Sequence, residues 1–185
     1  YIARMKWTND ANVLSAQILN RHQDNLDLLF IDGNSGTVNV VLNEKDKAYV
    51  DVTDNLTFLK DNSFIWTSEK DGYNHIYFYD KSGKLKNQVT KGNWEVTNYY
   101  GFDEKSKTVF YQSTENGSIN RDVYRIGLDG KNKMRLTKNT GTNAATFSPN
   151  FQFFINTFSS ASQPSTFTLN ESKSGIEIQI IENNE

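Results

Sequence analysis

At 185 residues, with 36% hydrophobic and 13% aromatic content, the chain is long enough to bury a core and too apolar for a disordered segment. Twenty basic against 22 acidic residues give a net charge of −2 with no basic run, so nucleic acid is not an expected partner. Zero cysteines exclude disulfides, thiolate chemistry and cysteine zinc sites, which leaves the compartment unread. No stretch approaches the roughly 18 consecutive apolar residues that a membrane helix needs. The start, Tyr1 to Trp7, lacks the charged-then-apolar layout of a signal peptide and reads as the interior of a strand, as in an excised piece whose targeting signals lie elsewhere.

Runs rich in Val, Ile, Phe, Tyr, Trp and Thr alternate with turn residues at short intervals, which predicts an all-β chain. In chain order the expected strands are 2–7, 13–20, 26–31 and 38–42, then 56–60, 64–68, 75–79 and 85–89. The second half adds 96–102, 109–113, 122–128 and 133–136, then 144–148, 151–157, 166–170 and 176–181. No segment carries helical periodicity; the nearest, Ala11 to Arg21, reads better as a strand through Val13, Ser15 and Gln17.

The strands repeat. Four turns end in glycine, at Gly36, Gly83, Gly130 and Gly175, and so recur at intervals of 47, 47 and 45 residues. That period is close to the roughly 40–50 residues of a four-stranded propeller blade. Glycine suits the third turn of each blade because it adopts positive φ without steric cost, while Asp, Asn and Ser ahead of it bond their own backbone. Gln88-Val89-Thr90-Lys91 and Arg135-Leu136-Thr137-Lys138 mark the exit from one blade toward the next. The blades fall at about 1–48, 49–92, 93–139 and 140–185. Closed propellers have roughly 4–8 blades. Four blades therefore fit either a complete small ring or one arc of a larger ring, and the abrupt ends of the chain favour the arc.

Within the second blade, Trp66-Thr67-Ser68-Glu69-Lys70-Asp71-Gly72-Tyr73-Asn74-His75-Ile76-Tyr77, followed by Lys91-Gly92-Asn93-Trp94-Glu95-Val96, resembles the propeller domain of dipeptidyl peptidase IV-type serine peptidases, in the prolyl oligopeptidase clan. Asn20 to Leu28, Phe147-Ser148-Pro149 and Phe158-Ser159-Ser160 carry the same likeness, which covers essentially the whole chain. The resemblance implies the C-terminal half of an eight-bladed N-terminal propeller, ending before an α/β-hydrolase domain. It further implies a parent enzyme that releases X-Pro or X-Ala dipeptides from peptide N-termini, a cavity between propeller and hydrolase, and a bacterial periplasm or cell-envelope location. The implied partners are the hydrolase domain, the remaining blades, the peptide substrate and a homodimer mate. Two departures stand out. Asn143 occupies a position where bacterial relatives lead one to expect His, and Ala48-Tyr49-Val50-Asp51-Val52 lacks the aromatic-Arg pair that mammalian members place near substrate.

No catalytic, metal or cofactor residue is expected in this chain. A hydrolase of that clan needs a Gly-x-Ser-x-Gly elbow, and none occurs; Ser35, between Asn34 and Gly36, is a turn serine without a base. His75 and His22 have no second ligand at metal spacing and read as hydrogen-bonded strand and loop residues. Asp24, Asp27, Asp61 and Asp71 complete no calcium loop, and Glu69 with Asp71 reads as turn chemistry rather than a glycosidase pair. Trp7, Trp66 and Trp94 are expected to fill the space between blades rather than stack on a sugar. Sequons at Asn55, Asn116 and Asn170 matter only in a eukaryotic source.

Two functions are therefore weighed: a non-catalytic propeller part that walls and gates a dipeptidyl peptidase cavity, and a self-standing propeller that binds protein or carbohydrate. Half a ring leaves two blade faces uncovered and predicts self-association, whereas a strictly monomeric chain of closed-ring dimensions would favour the complete four-bladed ring.

Overall fold

The structure is a computed structural model that describes residues 1–184. Among the described residues, sixteen strands and no helix make four antiparallel sheets, each a four-stranded meander in sequence order, the topology of a propeller blade. The first sheet holds β1 (Ile2–Trp7), β2 (Val13–Leu19), β3 (Asn25–Asp32) and β4 (Val38–Lys45). The second holds β5 (Thr57–Phe58), β6 (Phe64–Ser68), β7 (His75–Tyr79) and β8 (Leu85–Gln88). The third holds β9 (Val96–Asp103), β10 (Thr108–Ser113), β11 (Asp122–Gly127) and β12 (Met134–Arg135). The fourth holds β13 (Thr142–Phe147), β14 (Phe153–Ser160), β15 (Gln163–Glu171) and β16 (Glu177–Glu182). The chain forms two compact units, Tyr1–Thr90 with the first two sheets and Lys91–Glu185 with the other two.

Several strand ends differ from the sequence expectation, most at two places. β4 continues three residues past Leu42, because Leu26 and Asn25 of β3 still pair with Glu44 and Lys45. β14 and β15 form a longer hairpin, with Ser160 paired to Gln163. The polar side chains there suggest a loop, yet main-chain pairing needs no apolar side chain. Pro164, which has no N–H to give, falls where the register slips between Phe158 and Ser160.

Strand registers define the faces. In the first unit, Leu19, Leu26 and Leu28 on the back of the first sheet meet Phe64, Trp66, Tyr77 and Tyr79 on the front of the second. All seven are almost completely buried, each contributing about 1.5–3 kcal/mol of apolar transfer. Phe64 stacks on Tyr79 with ring centroids 5.2 Å apart. In the second unit, Phe147 and Phe154 on the front of the fourth sheet meet Phe110, Val123 and Leu136 of the third, and Phe110 lies 4.7 Å from Phe147.

The repeated glycines serve both turn and packing. Gly83 has φ +83, and a Cβ there would lie 1.6 Å from the Val41 carbonyl oxygen on the outer strand of the first sheet. Gly175 has φ +70, and its Cβ would lie 2.3 Å from the Leu136 carbonyl oxygen beside the outer strand of the third. Each turn thus presses its glycine against the main chain of the neighbouring sheet, which no other residue permits.

The tryptophans divide. Trp66 is fully buried in the inter-sheet core, as expected. Trp94 is half-buried and stacks on Tyr111 at 6.2 Å with 9° between planes, inside the second unit. Trp7 is 59% exposed, its strand register placing it on the face of the first sheet opposite that core.

Candidate functional site

A recess of about 640 Å3 lies in the first unit. It is walled by the end of β4, by the connection 46–55 that leads to the second sheet, and by the end of β6 with its turn at Glu69 to Gly72. Local chemistry fixes that connection. Asp46 accepts from the Ala48 amide at 2.8 Å, the Val50 amide donates to the Gln23 carbonyl at 2.7 Å, and Val50 is buried in the core. Thr53 and Thr67 hydroxyls meet at 2.6 Å, tying the connection to β6. Tyr49 is left 49% exposed with its hydroxyl donating to Asp51 at 3.5 Å. Arg4 pairs with Asp54 at the far end.

A partly buried polar group sits at the base of the recess. The Trp66 indole N–H donates to Glu44 at 3.1 Å. Burial pushes the Glu44 carboxyl above the ordinary glutamate range, with bonds from Ser68 and Trp66 opposing. Lys70 lies 3.9 Å over the Tyr77 ring and donates to the Tyr79 hydroxyl at 2.7 Å. Burial lowers the Lys70 ammonium, against the pull of Glu44 and Asp71. Burial likewise raises both tyrosines, so Tyr77 and Tyr79 stay neutral donors and acceptors through the physiological range. With Glu44, Asp46, Asp51, Asp54 and Glu69 against Lys45 and Lys70, the lining carries more carboxylate than ammonium.

This arrangement can hold and orient; it offers no nucleophile with a base. Ser35 bonds Asp32 at 3.0 Å and Thr37 at 2.8 Å within its turn. His75 is fully buried with Nδ1 at 3.1 Å from the Thr90 hydroxyl, which also accepts the Ile76 amide at 2.9 Å. His22 is exposed in its loop. Asp24 accepts from Asn20 at 2.6 Å, and Asp61 from Ser63. Glu69 closes its turn through its carbonyl to the Gly72 amide at 2.8 Å, and Asp71 accepts from Gln88. Among the described residues, no group of three His, Cys, Asp or Glu could hold a metal ion.

Asn143 has a definite structural role. It is fully buried and donates to Asp122 at 3.2 Å and to the Arg121 and Asn139 carbonyls at 3.1 and 3.0 Å, while Asn156 donates to it at 3.1 Å. Asp122, itself fully buried, also receives Thr137 at 2.9 Å and pairs with Arg135 at 2.9 Å. Asp122 and Thr137 stand 47 residues after His75 and Thr90, so one period supplies a buried histidine–threonine pair and the next a buried aspartate–threonine pair.

The sequence singled out the turn at Glu69 to Gly72 but missed Glu44, Lys70, Tyr77 and Tyr79 as a group. Glu44 lies beyond the expected end of its strand, and only the fold brings it to residues 26 to 35 positions away. The single legible signal was the Lys70-Asp71-Gly72 turn.

Comparison with known proteins agrees over the whole chain. The crystal structure of Porphyromonas gingivalis dipeptidyl peptidase 4 superposes with a TM-score of 0.93 at 40% identity, covering 100% of this chain and 26% of that one. Dipeptidyl aminopeptidase B of Saccharomyces cerevisiae is 28% identical over 177 residues, 88% of this chain and 22% of its own length. Dipeptidyl peptidase 4 of Arthroderma otae is 37% identical over 68 residues, 37% of this chain and 9% of its own length. The chain thus spans about a quarter or less of these relatives. Sheet topology and likeness together make it part of a β-propeller. Residues 1–165 match the family model described as dipeptidyl peptidase IV (DPP IV) N-terminal region, and the chain belongs to that family.

Proposed function

We propose that the chain is a non-catalytic propeller portion of a dipeptidyl-peptidase-like serine exopeptidase that releases X-Pro or X-Ala dipeptides from peptide N-termini. Its role is to wall and gate the cavity in which an α/β-hydrolase domain acts, with the recess beside Tyr49 and Glu44 forming part of that wall. The observation that carries this reading is the match of this whole chain to 26% of P. gingivalis dipeptidyl peptidase 4, at 40% identity and a TM-score of 0.93, in a stretch that contains no nucleophile elbow. The chemistry of the recess supports it: carboxylates, an ammonium and aromatic hydroxyls suit a polar peptide passing by, and none of them is poised to attack a carbonyl. Further blades of the parent and its hydrolase domain are the proposed partners.

The coding sequence beyond Glu185 tests this. The proposal expects a Gly-x-Ser-x-Gly elbow within about 150 codons, followed by the Asp and His of a triad. A stop codon directly after Glu185 would overturn it in favour of a self-standing binding propeller.

A further inference from the structure

The three sequon asparagines sit in different settings. Asn55 is half-buried and donates to the Thr67 hydroxyl at 3.1 Å. Asn170 is buried and donates to the Thr168 carbonyl and hydroxyl at 3.0 and 2.8 Å. Asn116 is exposed in the loop 114–121, which joins β10 to β11 within the third sheet, and among the described residues its carboxamide has no hydrogen-bond partner.

The residue after Asn116 is glycine, and Asn116-Gly117 is the only Asn-Gly pair in the sequence. Gly117 has φ +117, a conformation natural to glycine, and carries no Cβ to screen its main-chain nitrogen. A bond from that nitrogen to Asn116 Cγ closes a five-membered ring. Three hydrogen bonds shape the turn. The Gly117 amide donates to the Thr114 carbonyl at 3.0 Å, the Asn120 amide to the Gly117 carbonyl at 3.0 Å, and the Asn120 carboxamide to the Asn116 carbonyl at 2.9 Å. Only the first of these holds the attacking nitrogen, and one such bond at the water surface slows its release by on the order of tenfold at most.

We propose that Asn116 is a self-modification site, where the Gly117 main-chain nitrogen attacks Asn116 Cγ, ammonia leaves, and water opens the resulting succinimide to aspartate or isoaspartate. The N–Cγ bond forms as the Cγ–Nδ2 bond breaks, the Gly117 amide proton passes to solvent, and the departing nitrogen takes up a proton. Water then adds to one of the two imide carbonyls. Addition at Cγ restores the main chain with an aspartate, and addition at the main-chain carbonyl carbon routes the chain through the side chain. The sum is one water consumed and one ammonia released, with no enzyme or cofactor.

Either product sets a new carboxylate beside Glu115, whose ion-pair partner is Lys133. The isoaspartate also lengthens the main chain by one methylene, a few residues before Arg121. There the Arg121 amide donates to the Gly141 carbonyl at 2.9 Å and the Asn143 amide to the Arg121 carbonyl at 2.8 Å, which ties the third sheet to the fourth. The chain thus gains negative charge with age at the edge of a joint between sheets. The chemistry needs no hydrolase domain, so its failure leaves the peptidase reading untouched.

Hydroxylamine, which intercepts a succinimide and cleaves the chain between Asn116 and Gly117, tests this on the folded 185-residue chain. At mildly alkaline pH, cleavage should run within about tenfold of its rate in the urea-unfolded chain, the limit set by the single bond to Thr114. Without hydroxylamine, mass spectrometry of the tryptic peptide Thr108–Arg121 should show acid in place of the Asn116 amide, as two products separable by chromatography, while Asn55 and Asn170 remain amides. Asn116→Gln, whose longer side chain would have to close a six-membered ring, should abolish both readouts, with circular dichroism confirming its fold. Slower cleavage of the folded chain than that limit, products that persist in Asn116→Gln, or conversion of Asn55 or Asn170 as fast as Asn116 would overturn the proposal.

Discussion

Replacing Gly83 by alanine separates two costs that the repeat combines. The first is backbone strain, since φ +83 is a left-handed conformation that costs an L-residue about 1–2 kcal/mol. The second belongs to the joint: a Cβ 1.6 Å from the Val41 oxygen cannot be accommodated by a side-chain rotation, because the obstacle is main chain. The turn must withdraw from the first sheet and loosen the contacts of Phe64 and Tyr79 with Leu28, an overpacking cost of about 1–3 kcal/mol. Gly36→Ala is the internal control, with similar φ and open space around its Cβ. Urea unfolding at low protein concentration, followed by the fluorescence of buried Trp66, should show Gly83→Ala losing about 2–5 kcal/mol and Gly36→Ala about 1–2 kcal/mol. Equal losses for the two, within about 0.5 kcal/mol, would refute the claim that the glycine serves the joint as well as the turn.

Asp122→Ala removes the acceptor shared by Thr137, Asn143 and Arg135, and should cost about 3–5 kcal/mol in an unfolding transition followed by Trp94; a loss under about 1 kcal/mol contradicts the network. Glu44 predicts a pH effect. Its folded pKa lies above the unfolded one, so its contribution is fully present below the ordinary glutamate pKa and is lost as pH rises through the folded value. Glu44→Gln keeps an acceptor for the Trp66 indole and removes the buried charge. Near pH 4 it should match the native chain, and by pH 8 it should be more stable by on the order of 0.5 kcal/mol, the loss of a partner for Lys70 offsetting part of the gain. A variant less stable at pH 8 than at pH 4, relative to native, reverses the sign and refutes the assignment.

The strands and turns were legible because their signals are local. Alternating β-branched and aromatic residues mark β6 and β7, and Asp80-Lys81-Ser82-Gly83 names its own turn through Asp80, whose carboxylate receives the Ser82 and Lys84 amides at 2.9 and 3.1 Å. The glycine period gave four blades because all four turns need positive φ, a demand to which Gly83 and Gly175 add close packing on a neighbouring sheet. Sidedness was less legible. Trp7 and Trp66 look alike in sequence, yet one lies on an uncovered face and the other in the core, a difference set by pairing register and by which sheet lies opposite. The recess was least legible of all: Glu44 and Lys70 come together through the connection 46–55, whose course is held by Asp46 capping and by Val50 burial rather than by any residue pattern. Within Ala48 to Val52, Tyr49 and Asp51 bond to each other on the recess wall.

The measurement that tests the central claim most directly is hydrolysis of a Gly-Pro chromogenic dipeptide by two products of the same gene, the 185-residue chain and the full open reading frame. The account predicts turnover by the full product, abolished by a serine-directed inhibitor, and none by the chain alone. Inhibitor-sensitive turnover by the chain alone, or an inactive full product that is folded, would contradict it.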